Sequence, residues 1–118
     1  MNASTRARVA AIVVAAATGK NVSSIYDYER SAYRSMSVKV GNRQVTGYDY
    51  EASAHFSGGG SDLNFYDYDR SAHVQLKLKD KSFSGYDYGT SDHFSGTVND
   101  RSVSLYDYGT CQYYNYSA

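Results

Sequence analysis

Proline and tryptophan are absent from this 118-residue chain, and cysteine occurs once, at Cys111. A single thiol excludes an intramolecular disulfide framework and any zinc site built on several thiolates. Excess charge of either sign is missing: 12 Lys and Arg balance 12 Asp and Glu. The chain as a whole therefore lacks the basic field that gathers nucleic acid or anionic lipid. Aliphatic residues are scarce, with Leu, Ile, Val and Phe supplying 20 of the 118 residues. That fraction with high net charge would indicate disorder, but here the charge is balanced and 14 Tyr supply contact area. A long apolar run is also lacking. Residues 9–17, VAAIVVAAA, are apolar without a break, but a membrane-crossing helix needs roughly 20 such residues.

Residues 1–20 differ in character from the rest. Arg6 and Arg8 precede the apolar run, and Ala15 and Ala17 are small residues near its end. Two readings fit. One is a secretory signal with a cleavage point near Ala17. The other is a helix or strand buried on all sides in the fold. The first places the protein outside the cell or at its surface; retention of residues 1–17 would leave it cytoplasmic.

Residues 21–118 are a repeat. Tyr-Asp-Tyr recurs at Tyr26-Asp27-Tyr28, Tyr48-Asp49-Tyr50, Tyr66-Asp67-Tyr68, Tyr86-Asp87-Tyr88 and Tyr106-Asp107-Tyr108, with start-to-start spacings of 22, 18, 20 and 20. The flanks recur as well, as in GYDYEASAHFSG at 47–58 and GYDYGTSDHFSG at 85–96. A fixed period near 20 implies one supersecondary unit per copy. Turn-forming residues follow each tripeptide and recur about ten residues later, at 41–43, 58–62, 79–81 and 99–101. Alternation of period 2 is clear in Met36-Ser37-Val38-Lys39-Val40 and in residues 74–79. The pattern predicts an all-β antiparallel meander of about five tandem hairpins of roughly 20 residues. Its closure is open to several forms: an extended sheet, a solenoid, a sandwich, or a barrel with segment 9–17 against its opening.

A three-residue inner loop such as 89–91 would pair Asp87 with His93, Asp49 with His55 and Asp67 with His73. The end copies would pair Asp27 with Tyr33 and Asp107 with Tyr113. One face would carry acid–ring pairs and the other aromatic pairs, acting first as a register device. Val45, Leu63, Phe65, Phe83, Val103 and Leu105 share parity with the Asp row. That parity implies either two covered faces or a bulge at the tripeptide.

The Asp–His sets are the candidate chemistry, and three equivalent copies argue for repeated structure or repeated weak binding. An active site needs one asymmetric constellation. Cys111 takes the loop position that Ser31, Ser53, Ser71 and Ser91 hold elsewhere, with no His in its own unit to serve as base. Residues 58–60 lack the Lys-Ser/Thr of a phosphate loop. No cofactor or metal is implied. The leading expectation is a non-enzymatic structural protein that associates with itself through strand edges or Tyr-rich faces into filaments or a surface layer. The alternative is a multivalent carbohydrate-binding module. There the Tyr, Asp and His of each unit form equivalent sites, aromatic faces covering a pyranose and polar groups accepting its hydroxyls.

Overall fold

A computed structural model describes residues 1–60 and 62–118. The expected turn at 58–62 thus includes one residue, Ser61, outside the described set. The chain begins with helix α1 (Ala3–Thr18). Ten strands follow: β1 (Val22–Asp27), β2 (Ala32–Gly41), β3 (Gln44–Asp49), β4 (Ala54–Gly59), β5 (Phe65–Asp67), β6 (Ala72–Lys79), β7 (Ser82–Asp87), β8 (Asp92–Asn99), β9 (Ser102–Asp107) and β10 (Gln112–Ser117). Each strand pairs antiparallel with the next, and β10 returns to β1, closing a barrel. The meander is as the repeat predicts, and every strand has a neighbour on both sides, the closing seam being short, with Tyr26 opposite Ser117 and Asp27 opposite Tyr116.

The apolar N-terminal segment is the buried helix. Asn2 caps it, its side chain accepting from Thr5 N at 2.8 Å, and Gly19 ends it in the left-handed region at φ 70°. Val9 to Val14 are fully buried on every face of the helix. They join one core with the inward residues of the strands, among them Ile25, Met36, Phe56, Phe65, Leu76, Phe94 and Leu105. A helix apolar all round needs cover all round, and the barrel supplies it. Eight strands enclose a lumen that side chains alone can fill, and ten enclose a wider one. Here the helix occupies that space. This is how 20 aliphatic and Phe residues suffice for a core.

Two inner-face details depend on small residues. Gly47 lies opposite Phe56, and Gly85 opposite Phe94. A Cβ at either glycine would land on the facing Phe ring. The ring therefore lies over the glycine, an arrangement that also protects the glycine's backbone.

The inner loops correct the expected register by one residue. Four residues, not three, separate the paired ends: Asp49 faces Ala54, Asp67 faces Ala72 and Asp87 faces Asp92. In four of the five hairpins the carboxylate caps its own loop, with Asp27 Oδ1 accepting from Glu29 N at 3.0 Å, Asp49 Oδ1 from Glu51 N at 3.1 Å, Asp87 Oδ1 from Gly89 N at 2.9 Å and Asp107 Oδ1 from Gly109 N at 2.8 Å; Asp67 instead accepts from the Arg70 side chain of its loop at 3.0 Å. Each such cap is an Asx turn, which makes the second Tyr of the tripeptide the first loop residue. The fourth loop residue is left-handed: Ser31, Ser53, Ser71, Ser91 and Cys111 have φ between 50° and 59°. The ring that was expected beside each Asp therefore faces the first Tyr instead: Tyr48 pairs with His55, Tyr66 with His73, Tyr86 with His93, Tyr26 with Tyr33 and Tyr106 with Tyr113. Acids and rings are on opposite faces of the sheet. The shared parity of Asp with the aliphatics has a simple origin, since both point into the barrel.

Candidate functional site

The two faces make two distinct chemical zones at the inner-loop end of the barrel. The inner zone is ionic. Asp27, Asp49, Asp67, Asp87 and Asp107 are all buried, ringing the N-terminal half of α1. Arg8, fully buried on the helix, donates through Nε to Asp49 Oδ2 at 3.0 Å and through both terminal nitrogens to Asp69 at 2.9 and 3.0 Å. Its Nη1 also lies 3.1 Å from Asp67 Oδ1. Arg6 donates to Asp107 Oδ2 at 3.1 Å and stacks over the Tyr114 ring at 3.8 Å. Arg34 of β2 reaches Asp49 at 3.0 Å, while Arg70 bridges Asp67 at 3.0 Å and Asp87 at 3.1 Å. Thr5 Oγ1 donates to Asp67 Oδ2 at 3.0 Å.

A buried charge is tolerated only when paired and hydrogen-bonded. Burial works against the Arg8 guanidinium, but its bonds to Asp69, Asp67 and Asp49 outweigh that and raise its pKa. The same bond holds the Asp69 carboxylate below its ordinary range. The zone fixes the axial position and rotation of the helix inside the barrel. Among the described residues, no group of three or more His, Cys, Asp or Glu side chains is placed to hold a metal ion.

The outer zone is aromatic. Tyr26, Tyr48, Tyr66, Tyr86 and Tyr106 are half-buried on the exterior, each held edge-to-face by two rings. One is the second Tyr of its own tripeptide, with centroids 4.7–5.0 Å apart. The other is the cross-strand ring, His55, His73 or His93 at 4.6–4.7 Å, or Tyr33 or Tyr113 at 4.7–4.8 Å. Fifteen rings thus form a belt of five triads around the barrel. Tyr28, Tyr50, Tyr68, Tyr88 and Tyr108 remain 55–61% exposed, and the three His are exposed.

Between neighbouring hairpins the belt is grooved. One groove is lined by Thr46, His55, Ser57, Tyr68 and Asp69, and another by Ser84, His93, Ser95 and Tyr108. The two are copies related by the repeat. In each, the Tyr amide donates to the His carbonyl of the preceding hairpin, Tyr68 N to His55 O at 3.2 Å and Tyr108 N to His93 O at 3.1 Å. The hydroxyls then meet, Ser57 Oγ with Tyr68 OH at 3.3 Å and Ser95 Oγ with Tyr108 OH at 3.4 Å. Tyr28 OH and Ser117 Oγ repeat that contact at 3.3 Å across the closing seam.

The structure therefore divides the residues singled out from sequence. The ten tripeptide Tyr and three His come together outside; the five Asp come together inside, away from the His. Cys111 is exposed and holds the left-handed loop position that Ser holds elsewhere. Sequence reasoning missed Arg6, Arg8, Arg34 and Arg70 as the partners of the Asp ring. Two signals pointed to them: the parity of Asp with the aliphatics, and two Arg at the head of an uninterrupted apolar segment. Elsewhere the exterior carries Ser37, Lys39, Thr46, Lys77, Ser84 and Thr97, all exposed. No helix is long and apolar enough to cross a membrane. Comparison with family models, curated proteins and solved structures finds no match to this chain.

Proposed function

We propose that this protein is a non-enzymatic, multivalent binding barrel whose exterior grooves take saccharides. The observation that carries this reading is the repetition of one groove chemistry around a closed wall: an exposed Tyr, a His and a hydroxyl at His55/Ser57/Tyr68 and again at His93/Ser95/Tyr108. A Tyr face covers the apolar side of a sugar ring while His and Ser supply a few convergent polar groups. Each groove is shallow, so useful strength comes from engaging several at once on one polymer. The buried Asp residues serve the grooves indirectly, by fixing the loops that carry the second Tyr of each tripeptide.

A polysaccharide array followed by titration calorimetry tests the reading. Tyr108→Ala removes one groove and should lower the number of bound saccharide units per chain by a fraction. Replacing Tyr28, Tyr50, Tyr68, Tyr88 and Tyr108 together should abolish binding while circular dichroism stays that of the folded barrel. Full retention of binding in that variant, or no retained glycan for the native chain, overturns the proposal.

A second reading, self-association through the same belt, draws on seven Tyr that are more than half exposed. Sedimentation velocity over a wide concentration range tests it, and a monomer throughout would remove it.

A further inference from the structure

The zero net charge conceals an axial separation. The barrel has two rims. The inner-loop rim surrounds the start of α1. The outer-turn rim surrounds its end, where Lys20, Asp80, Lys81, Asp100 and Arg101 gather around Ala17 and Thr18. Nine of the 12 acidic side chains and five of the 12 basic ones lie in the inner-loop half. Seven basic and three acidic side chains lie in the other half. On side chains alone the halves carry −4 and +4. Solvent meets this contrast directly. Lys20, Arg43, Lys79, Lys81 and Arg101 are exposed on one rim against Asp80 and Asp100, and Glu29, Glu51 and Asp69 on the other against Arg30. The acidic rim also presents the exposed second Tyr of every tripeptide.

We propose that copies of this protein stack rim to rim, the cationic outer-turn rim of one on the acidic, Tyr-ringed rim of the next. Opposite charge steers the two rims together and opposes like-to-like contact. Lys and Arg side chains of the incoming rim find both carboxylates and Tyr faces, so ion pairing and cation–π contact act on the same groups. The contact is heterologous: it uses a different surface on each partner and does not close on itself. Repetition therefore gives a linear polar stack. This route needs no strand-edge pairing. The acidic rim shares Tyr68, Asp69 and Tyr108 with the saccharide grooves, so stacking and saccharide binding would compete for those side chains.

The test is sedimentation velocity of the full chain across a salt series, with one variant. At 0.01 M salt the Debye length is about 30 Å, comparable to the molecule, and at 1 M it is about 3 Å. The native chain should sediment as species whose mass grows with concentration at low salt, and as a monomer at 1 M. Lys20→Glu/Lys79→Glu/Lys81→Glu reverses exposed side chains on the cationic rim alone, and folding is checked by circular dichroism. This variant should be monomeric at every salt concentration. Mixed equimolar with native chain at low salt, it should shorten the native stacks, because its intact acidic rim still docks and its reversed rim accepts nothing. A native chain that is monomeric at low salt overturns the proposal, as does association that salt and the variant leave unchanged. Neither result touches the saccharide reading, which is measured on the monomer in high salt. Should the variant misfold, the salt series on the native chain decides alone.

Discussion

Arg8→Met is the perturbation that most directly probes the interior. Arg8 is fully buried and is bonded to Asp49, Asp67 and Asp69 at 2.9–3.1 Å. Met keeps a similar stem but leaves those carboxylates short of a cation. Asp49 retains Arg34, and Asp67 retains Arg70 and Thr5, so the loss is that of one partner within a network. Removing one partner from a buried ion pair costs about 3–5 kcal/mol. For a chain of this size roughly 4 °C of Tm accompanies each kcal/mol, so Tm should fall by about 12–20 °C. Reversible thermal unfolding followed by far-ultraviolet circular dichroism reads the shift. Arg8→Lys should fall in between, since it keeps the charge and loses the two-pronged bond to Asp69. Arg30→Met, which breaks only the exposed pair with Glu51 at 2.9 Å, is the control and should cost no more than about 1 kcal/mol. If Arg8→Met and the control cost the same, the helix is not held by the Asp ring and the reasoning fails.

Other perturbations have definite expected outcomes. Gly85→Ala places a Cβ on the Gln75 carbonyl and the Phe94 ring and should destabilise by about 1–3 kcal/mol in urea unfolding, whereas Gly41→Ala meets nothing within 4 Å and should be close to neutral. The Asp69 carboxyl is held below its ordinary range by Arg8. Its stabilisation is therefore complete above the unfolded value near 3.9 and is lost as pH falls through the lower folded value. The Tm difference between the native chain and Asp69→Asn should be widest at neutral pH and close below about pH 4; a gap that persists in strong acid would show the contact is not ionic. Cys111→Ser restores the residue that the other four loops carry in the same left-handed position, and its stability should match the native chain within about 0.5 kcal/mol by the same unfolding assay.

Much of this architecture is legible in the sequence, and the part that is not has a specific cause. The five tripeptides and their flanks give the hairpin period, the antiparallel order and the outer turns at 42–43, 80–81 and 100–101. The inner register is missed by one residue because in four of the five hairpins Asp caps the loop with its own side chain, a contact that turn composition alone does not reveal. With side-chain alternation of period 2, that single residue moves the acids from the His side to the helix side. Val45, Phe65 and Leu105 carried the correction, since their parity is that of Asp49, Asp67 and Asp107. The N-terminal segment is ambiguous in sequence for a physical reason as well. A signal and a core helix both present a short apolar run, and here two basic residues precede it. Only the ring of buried carboxylates, visible once the strands close, gives Arg6 and Arg8 their partners. The exterior grooves could not be read in advance, because each is built from two hairpins, such as His55 and Ser57 from one and Tyr68 from the next.

Amide hydrogen exchange of α1 tests the central arrangement, in which acids face inward to a helix on the barrel axis and rings face solvent. Residues 7–15 are 0–1% exposed and enclosed on every side, so no local opening can free them while the strands stay paired. Their exchange should match the slowest strand amides and track global unfolding in denaturant. Exchange of that segment orders of magnitude faster than the strands, with the barrel still folded, would contradict the account.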